Sequence, residues 1–178
     1  MKIETIKASK YSYRVDSKGR PVKRNKATVK YIVIHYTGVK RDTARNEGAC
    51  FARNNSRYAG AHFFVDRNGN IIKSVPMNYT AWSVGGKKYT NCQQTGGGRY
   101  YGSCTNSNSV SIEMCDTVDR DPSDKQIKAI KWLISYIRSH GCSNAHTVIR
   151  HFDVTGKPCP ARFTKNSAWA SLKKKLGE

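Results

Sequence analysis

Acidic residues are scarce in this 178-residue chain: 12 Asp and Glu stand against 32 Lys and Arg, which gives a formal net charge of +20. A small domain stays soluble with a net charge of roughly 2–8 in magnitude, so the excess is larger than solubility needs. It predicts a polyanionic partner, and charge alone leaves nucleic acid, an anionic membrane surface and acidic cell-wall polymers open. The alternative is that the lysines only keep the surface solvated.

Long apolar runs are also missing. No segment approaches the ~18 apolar residues of a membrane span, and residues 1–10 lack the apolar run of a signal peptide, roughly 7–15 residues long. We therefore expect no membrane insertion and synthesis in the cytoplasm without a signal peptide. Zinc-finger spacing, an RNP-like motif and basic heptads are absent too, which argues against a nucleic-acid-binding protein.

The chain has six cysteines, which a reducing cytoplasm keeps mostly as free, buried thiols. Cys92 and Cys104, in one polar loop, are the one pair that we consider for a disulfide. Because the length suits one domain, and neither a repeat nor an interdomain linker is visible, a single-domain monomer is expected.

The order of hydrophobic patterns predicts an α/β fold in which strands and helices are interleaved. Residues 1–28 are polar and basic, with a turn at 16–19, and predict an arm or hairpin lying on a domain formed by residues 29–178. The predicted elements are a central strand at 29–36, a helix at 42–55, a hairpin at 61–75 with a type I′ turn at Asn68-Gly69, an irregular stretch at 85–108, a strand at 109–114, a helix at 123–141 that starts with a capping box, a strand at 147–151 and a last helix from Ser167.

Two histidines and a cysteine form the most informative pattern. His151 and Cys159 lie eight residues apart, and His35 lies near the end of the predicted central strand. Imidazole and thiolate ligands favour Zn²⁺, and three protein ligands with one open position indicate a catalytic rather than a structural site. The competing interpretation is a closed structural zinc held by Cys142, His146, His151 and Cys159.

Glu113 and Lys157 are candidates for the catalytic groups. Glu113 lies on the polar side of the alternating strand 109–114, from which it could act as general base for a zinc-bound water, or simply be exposed. Lys157, two residues before Cys159, could place an ammonium against a developing oxyanion. Together these residues predict metal-assisted hydrolysis.

Several motifs occur in an order that resembles one family. They are Ile34-His35-Tyr-Thr-Gly38, Ala61-His-Phe, Asn68-Gly-Asn, Ala81-Trp82, Asn108-Ser-Val-Ser-Ile-Glu113 and His151-x₅-Lys157-x-Cys159-Pro160. Across about residues 29–163 the chain resembles the zinc N-acetylmuramoyl-L-alanine amidases of the phage-lysozyme and peptidoglycan-recognition superfamily, in particular the endolysins of Gram-positive phages and prophages.

The resemblance implies a central mixed sheet flanked by helices, with Zn²⁺ in a groove on one face, held by His35, His151 and Cys159. It implies cleavage of the amide between N-acetylmuramic acid and L-alanine of the stem peptide, with Glu113 as the base and Lys157 on the oxyanion. Peptidoglycan and anionic wall polymers would be the partners, and the cell wall, reached after release from the cytoplasm, the place of action. His62, Trp82 and Asn108 are candidates for substrate contacts.

Two positions depart from the family pattern. Ala61 stands where one branch carries a catalytic tyrosine, which leaves more of the base role to Glu113. Ser83 stands where relatives often have a histidine, which affects substrate contacts rather than the metal. His62 could equally be a core histidine. A peptidoglycan-binding module without catalysis is the main alternative function, but such members typically lack the cysteine that is present here as Cys159.

Overall fold

The computed structural model describes residues 1–53 and 57–178, and it contains one mixed sheet covered by helices on both faces. The strands are β1 (Ile3–Thr5), β2 (Tyr31–Tyr36), β3 (Phe63–Val65), β4 (Ile71–Lys73), β5 (Ser109–Met114) and β6 (Thr147–Arg150), in the order β1-β4-β3-β5-β2-β6. The helices are α1 (Ala44–Ala52), α2 (Cys92–Thr95), α3 (Asp124–Ser139), α4 (His151–Thr155) and α5 (Asn166–Leu176). Single 3₁₀ turns cover Lys10–Ser12, Lys26–Thr28, Asn106–Asn108 and Ala161–Phe163. The predicted α/β class is confirmed.

The sheet is parallel except where β3 and β4 form the predicted hairpin. β2 has β5 on one side and β6 on the other, so the strand predicted to be central is paired along both edges. Its residues Ile32, Val33 and Ile34 are fully buried, as their apolar, β-branched character requires.

Helices α3 and α5 cover one face of the sheet. Alternate residues of β2 and β5, including Ile34 and Ile112, pack there with Ile130 and Leu133 of α3 and with Leu172 of α5. Helix α1 lies on the other face, over β3 and β4. It begins at Ala44, after an N-cap at Thr43 rather than at Asp42, and the predicted end at Asn55 lies outside the described residues.

The turn between β3 and β4 differs from the predicted type I′. Gly69 has a φ of 82°, whereas Asn68 stays outside the left-handed region that a type I′ turn requires at both central positions. The carboxylate of Asp66 accepts the backbone N–H groups of Asn68 and Asn70, at 2.9 and 3.0 Å. This side chain selects a three-residue loop in which only the glycine is left-handed.

The start of α3 is capped by one half of the predicted capping box. The Oγ of Ser123 accepts the N–H of Gln126 at 3.1 Å. The Gln126 side chain does not reach back to the cap; it donates to the carbonyls of Val65 and Cys115 instead. The helix ends at Ser139, two residues before the predicted end at Gly141.

The N-terminal segment adds a strand that the sequence did not predict. β1 pairs in parallel with β4 and forms one edge of the sheet. The segment then makes a tight turn, in which the N–H of Asp16 donates to the carbonyl of Arg20 at 2.9 Å. Bridges from Tyr13 to Ala81 and from Lys23 to Tyr79 hold this turn against residues 79–81.

Among the described residues, no helix is both long enough and apolar enough to cross a bilayer. The six cysteines are all free thiols, and all except Cys50 are buried. Cys104 packs against Val33 and Ile149, while the Cys92 thiol donates to the carbonyl of Thr155, so the pair considered for a disulfide is not bonded.

Candidate metal centre and its surroundings

Three neighbouring strands bring the candidate groups to one end of the sheet. In the parallel register of β2 and β5, His35 is paired with Glu113. On the other side of β2, Ile34 is paired with Arg150, the last residue of β6, and His151 follows as the first residue of α4. Because the carboxyl ends of parallel strands meet at one edge, the three side chains lie side by side there.

The alternation of β2 and β5 decides which face they occupy. Ile34 and Ile112 point into the core beneath α3, so the next residues, His35 and Glu113, point to the opposite face. Cys159 comes from the segment after α4. Its carbonyl accepts the N–H of Phe152 at 2.9 Å, which folds the cysteine back over the start of that helix.

His35, His151 and Cys159 form a compact, buried cluster. Their potential ligand atoms all lie within 4.8 Å of one another. The Sγ of Cys159 is 3.7 Å from the Nδ1 of His35, and the two imidazole rings are 4.8 Å apart between centroids. The Oε1 of Glu113 lies 3.9 Å from the same Nδ1.

Several polar atoms of this cluster are buried without a hydrogen-bond partner. They are the Nε2 of His35, both ring nitrogens of His151 and the Oε2 of Glu113. Buried polar atoms almost always have a partner, because an unsatisfied group costs about 1–3 kcal/mol. A cation bound between the three side chains would satisfy the imidazoles, so the cluster could hold a metal ion.

The proton affinities of these side chains fit the same interpretation. Burial lowers the pKa of His35 well below its usual value, with the charges of His151 and Lys157 acting in the same direction. Burial and Lys157 lower the pKa of His151 to about 4. Both imidazoles are therefore neutral at pH 7, as metal ligands must be.

The pKa values of the Cys159 thiol and the Glu113 carboxyl are raised rather than lowered. Burial, with Glu113 as the next cause, raises the pKa of Cys159 to about 12, so the thiol keeps its proton unless a cation displaces it. Burial raises the pKa of Glu113 to about 7, against the opposing effect of Lys157. The donor set of two imidazoles and one potential thiolate suits a borderline-soft divalent ion.

The alternative four-ligand set is not assembled. Cys142 is packed in the core and His146 is exposed, and both precede β6. His151 follows the same strand, so the two pairs lie at its opposite ends. Within the ranges that the structure describes, His35, His151 and Cys159 are the one group of three or more His, Cys, Asp or Glu residues placed to hold a metal ion.

Comparison with known proteins identifies the family. Residues 25–162, which include the whole cluster, match the family described as N-acetylmuramoyl-L-alanine amidase. The chain belongs to this amidase family. The resemblance inferred from the motifs is thereby confirmed.

Curated relatives of the amidase family come from bacilli. A probable N-acetylmuramoyl-L-alanine amidase of Bacillus licheniformis is 30% identical over 157 residues, which are 84% of this chain and 41% of the relative. The N-acetylmuramoyl-L-alanine amidase CwlL of the same species is 31% identical, over 80% of this chain and 39% of its own length. The chain thus spans about two fifths of the length of these relatives.

Solved structures extend the similarity to the whole fold. The structure of PlyL superposes with a TM-score of 0.72 at 22% identity and covers 99% of this chain and 97% of PlyL. The catalytic domain of XlyA gives a TM-score of 0.70 at 20% identity, covering 99% of this chain and all of that domain. At such identities the match concerns the fold, and it confirms the predicted mixed sheet flanked by helices.

The other residues singled out by the amidase motifs differ in their exposure and in their place relative to the cluster. Lys157 is exposed and close enough to lower the pKa of both histidines. Trp82 is half-buried. Asn108 precedes β5 and therefore lies at the opposite end of that strand from Glu113, where its amide binds Thr105 and Ser103. The structure does not bring Asn108 to the cluster.

His62 is completely buried, and both of its ring nitrogens have partners. Nδ1 lies 3.0 Å from the Oγ of Ser111, and Nε2 lies 3.0 Å from a guanidinium nitrogen of Arg24 and 3.2 Å from the carbonyl of Tyr79. Burial and the charge of Arg24 lower its pKa to about 3. These surroundings favour the interpretation of His62 as a core histidine, and His62 is also close enough to His35 to lower the pKa of that imidazole.

Sequence reasoning missed two groups of charged residues. Asp42 and Glu47, before and within α1, lie near Glu113, and burial together with Asp42 raises the pKa of Glu47 to about 8. Arg150 and Asp153 form a buried ion pair around His151. The sequence did offer a signal for this ion pair, because Arg150 and Asp153 lie three residues apart in a largely apolar segment.

Proposed function

We propose that this chain hydrolyses the amide bond between N-acetylmuramic acid and L-alanine of the stem peptide in peptidoglycan. One observation carries the proposal: three buried side chains able to bind a metal ion lie together beside the carboxylate of Glu113. Imidazole nitrogens of two of them have no hydrogen-bond partner. Membership of the amidase family supports the choice of bond. The main alternative, a module that binds peptidoglycan without cleaving it, gives no reason for a carboxylate beside three ligands.

The resident metal in this proposal is Zn²⁺, held by His35, His151 and Cys159. Bound there, zinc would polarise the scissile carbonyl and lower the pKa of water at its open position. The thiol of Cys159, whose pKa burial raises to about 12, would bind as the thiolate.

Glu113 is proposed as the general base. Its Oε2 has no hydrogen-bond partner, and its raised pKa of about 7 matches a group that exchanges protons near neutral pH. It would accept a proton from the attacking water and return it to the departing amine. Lys157 would place its ammonium where negative charge develops on the carbonyl oxygen. Trp82 is the remaining candidate for contact with the sugar or the peptide.

Anionic polymers of the cell wall are proposed as the partner that the positive charge selects. Among the described residues, Lys40 is the one lysine within 4.0 Å of a carboxylate. The other carboxylate ion pairs use arginine or histidine. Exposed lysines therefore remain available to a polyanion.

The proposal is tested by digestion of purified peptidoglycan, with new amino-terminal alanine scored against new reducing sugar ends. We expect alanine termini alone, lost on zinc chelation and restored by added Zn²⁺. The Cys159→Ala variant, whose wall binding should persist, is the inactive control. Reducing ends would indicate a glycosidase and overturn the proposal.

Two further outcomes separate the alternatives. Tight binding to walls without any product would identify a recognition module. Displacement from walls by DNA but not by soluble wall polymer would favour nucleic acid as the polyanion. Steep salt dependence fits both partners, so competition rather than salt decides between them.

A further inference from the structure

Arg150, the last residue of β6, is a buried cation in which every N–H group is bonded. Only 2% of it is exposed. Its Nε donates to the carboxylate of Asp153 at 3.0 and 3.1 Å, and Nη1 donates to the carbonyls of Phe163 and Thr164 at 2.7 and 2.9 Å. Nη2 donates to Asp153 at 2.5 Å and to the Oδ1 of Asn166 at 3.0 Å. All five guanidinium donors are used.

These bonds enclose the segment that carries two of the proposed ligands. Asp153 follows His151 by two residues, and Phe163 follows Cys159 by four. The N–H of Arg150 also donates to Asp153, at 2.8 Å, which fixes the first turn of α4 directly around His151. The bonds to residues 163 and 164 hold the far end of the segment, beyond Cys159. One cation thus fixes both ends of the segment that spans the ligands.

We propose that Arg150 is a positioning residue that sets the separation and orientation of His151 and Cys159 for the metal ion. The inference rests on the zinc site of the proposed function. Arginine suits the task because its rigid, planar fork binds a carboxylate and several carbonyls at fixed angles, which the single ammonium of lysine does not do. Asp153 neutralises the cation, so that the segment is held without a net charge beside the ligands.

The chain contains a matched control at the other end of β6. Arg138 also binds two carbonyls, those of Ala145 and His146, at 2.9 and 3.3 Å. It also pairs with a carboxylate, Glu178, at 2.7 and 2.9 Å. No proposed ligand lies in the segment that it holds. The same substitution at Arg138 therefore removes a similar set of bonds far from the metal.

The test compares Arg150→Lys with Arg138→Lys by metal binding rather than activity. Zn²⁺ affinity is measured by competition with a chromophoric chelator, and Co²⁺ absorption reports the thiolate bond and the coordination geometry. We expect Arg150→Lys to bind Zn²⁺ about 10–100-fold more weakly, which is the usual cost of mutating a residue that orients metal ligands. Its Co²⁺ spectrum should also differ from that of the parent protein. Arg138→Lys should match the parent protein in both measurements.

The outcomes separate this inference from the proposed function. If the parent protein bound neither Zn²⁺ nor Co²⁺, the zinc site itself would be refuted. If it bound both, and Arg150→Lys bound them with the same affinity and spectrum, the positioning role would be refuted. If Arg150→Lys did not fold, the same measurement on Asn166→Ala, which removes one hydrogen-bond acceptor of Arg150, would test the positioning role instead. We expect about threefold weaker Zn²⁺ binding from loss of one hydrogen bond, and an unchanged affinity would overturn the inference.

Discussion

At the scale of single residues, the base role proposed for Glu113 is what would distinguish a hydrolase from a metal-binding site without turnover. Replacing it with glutamine keeps the shape of the side chain but removes the proton acceptor. We expect Glu113→Gln to release alanine termini about 10²–10⁴-fold more slowly, the usual contribution of a general base. Its zinc content should stay at the parent level, because Glu113 is not among the three proposed ligands. The measurement is initial rate alongside metal analysis.

Glu47→Gln is the matched control for that substitution. Glu47 is a carboxyl side chain close enough to Glu113 for their charges to interact, but it lies on α1 and outside the ligand cluster. Because its pKa is raised to about 8, Glu47 is largely uncharged at pH 7, so its replacement removes little charge and should change the rate only a few-fold, an electrostatic effect of about 1 kcal/mol or less. A Glu113→Gln enzyme within a few-fold of the parent would show that another group accepts the proton.

At the scale of elements, Gln126 joins α3 to the sheet. It is fully buried, and its amide donates to the carbonyls of Val65 and Cys115 at 2.8 and 2.9 Å, just where β3 and β5 end. Gln126→Glu would point a carboxylate at two carbonyls. We expect a loss of several kcal/mol in the free energy of unfolding at pH 7, measured by urea denaturation, because an unpaired buried charge is costly.

The dependence of this loss on pH provides the check. Burial would raise the pKa of the new carboxyl in the folded protein above its value in the unfolded chain. The free energy of unfolding of Gln126→Glu therefore falls as pH rises above the pKa of the unfolded chain, and it recovers as pH is lowered. The protonated carboxyl can donate one of the two lost bonds. Gln126→Met, which cannot titrate, should lose about 1–3 kcal/mol at every pH. Equal losses for both variants across pH 5–8 would contradict this role for Gln126.

These elements also show what the sequence could and could not predict. The clustering of His35, His151 and Cys159 could be predicted, because the type of donor atom is visible in the sequence and α/β sheets place their ligands at the carboxyl ends of the strands. β1 could not, since a three-residue strand exists only through its pairing with β4, about 68 residues away. The acceptors of Arg150 were hidden for the same reason: two are backbone carbonyls 13 and 14 residues further along the chain.

At the scale of the whole molecule, the excess of lysine over carboxylate should govern access to the wall rather than the chemistry. Screening shortens the reach of surface charges to about 10 Å at 0.1 M salt. We therefore expect lysis of whole walls to fall about tenfold or more between low and high salt. Cleavage of a short, soluble muropeptide, which presents no extended polyanion, should change little. The measurement is the slope of log rate against log salt for the two substrates.

Substitutions at Lys23 and Lys30 test whether the salt dependence of wall lysis comes from surface charge. Both are exposed, and Lys30 directly precedes β2, at the opposite end of the strand from His35. The double variant Lys23→Gln/Lys30→Gln should flatten the salt slope on walls and leave muropeptide cleavage unchanged. Lys40→Gln, whose ammonium already pairs with Asp119 at 2.9 Å, should change the slope less. A wall-lysis rate that stays flat from low to high salt would mean that the +20 charge has no part in substrate binding.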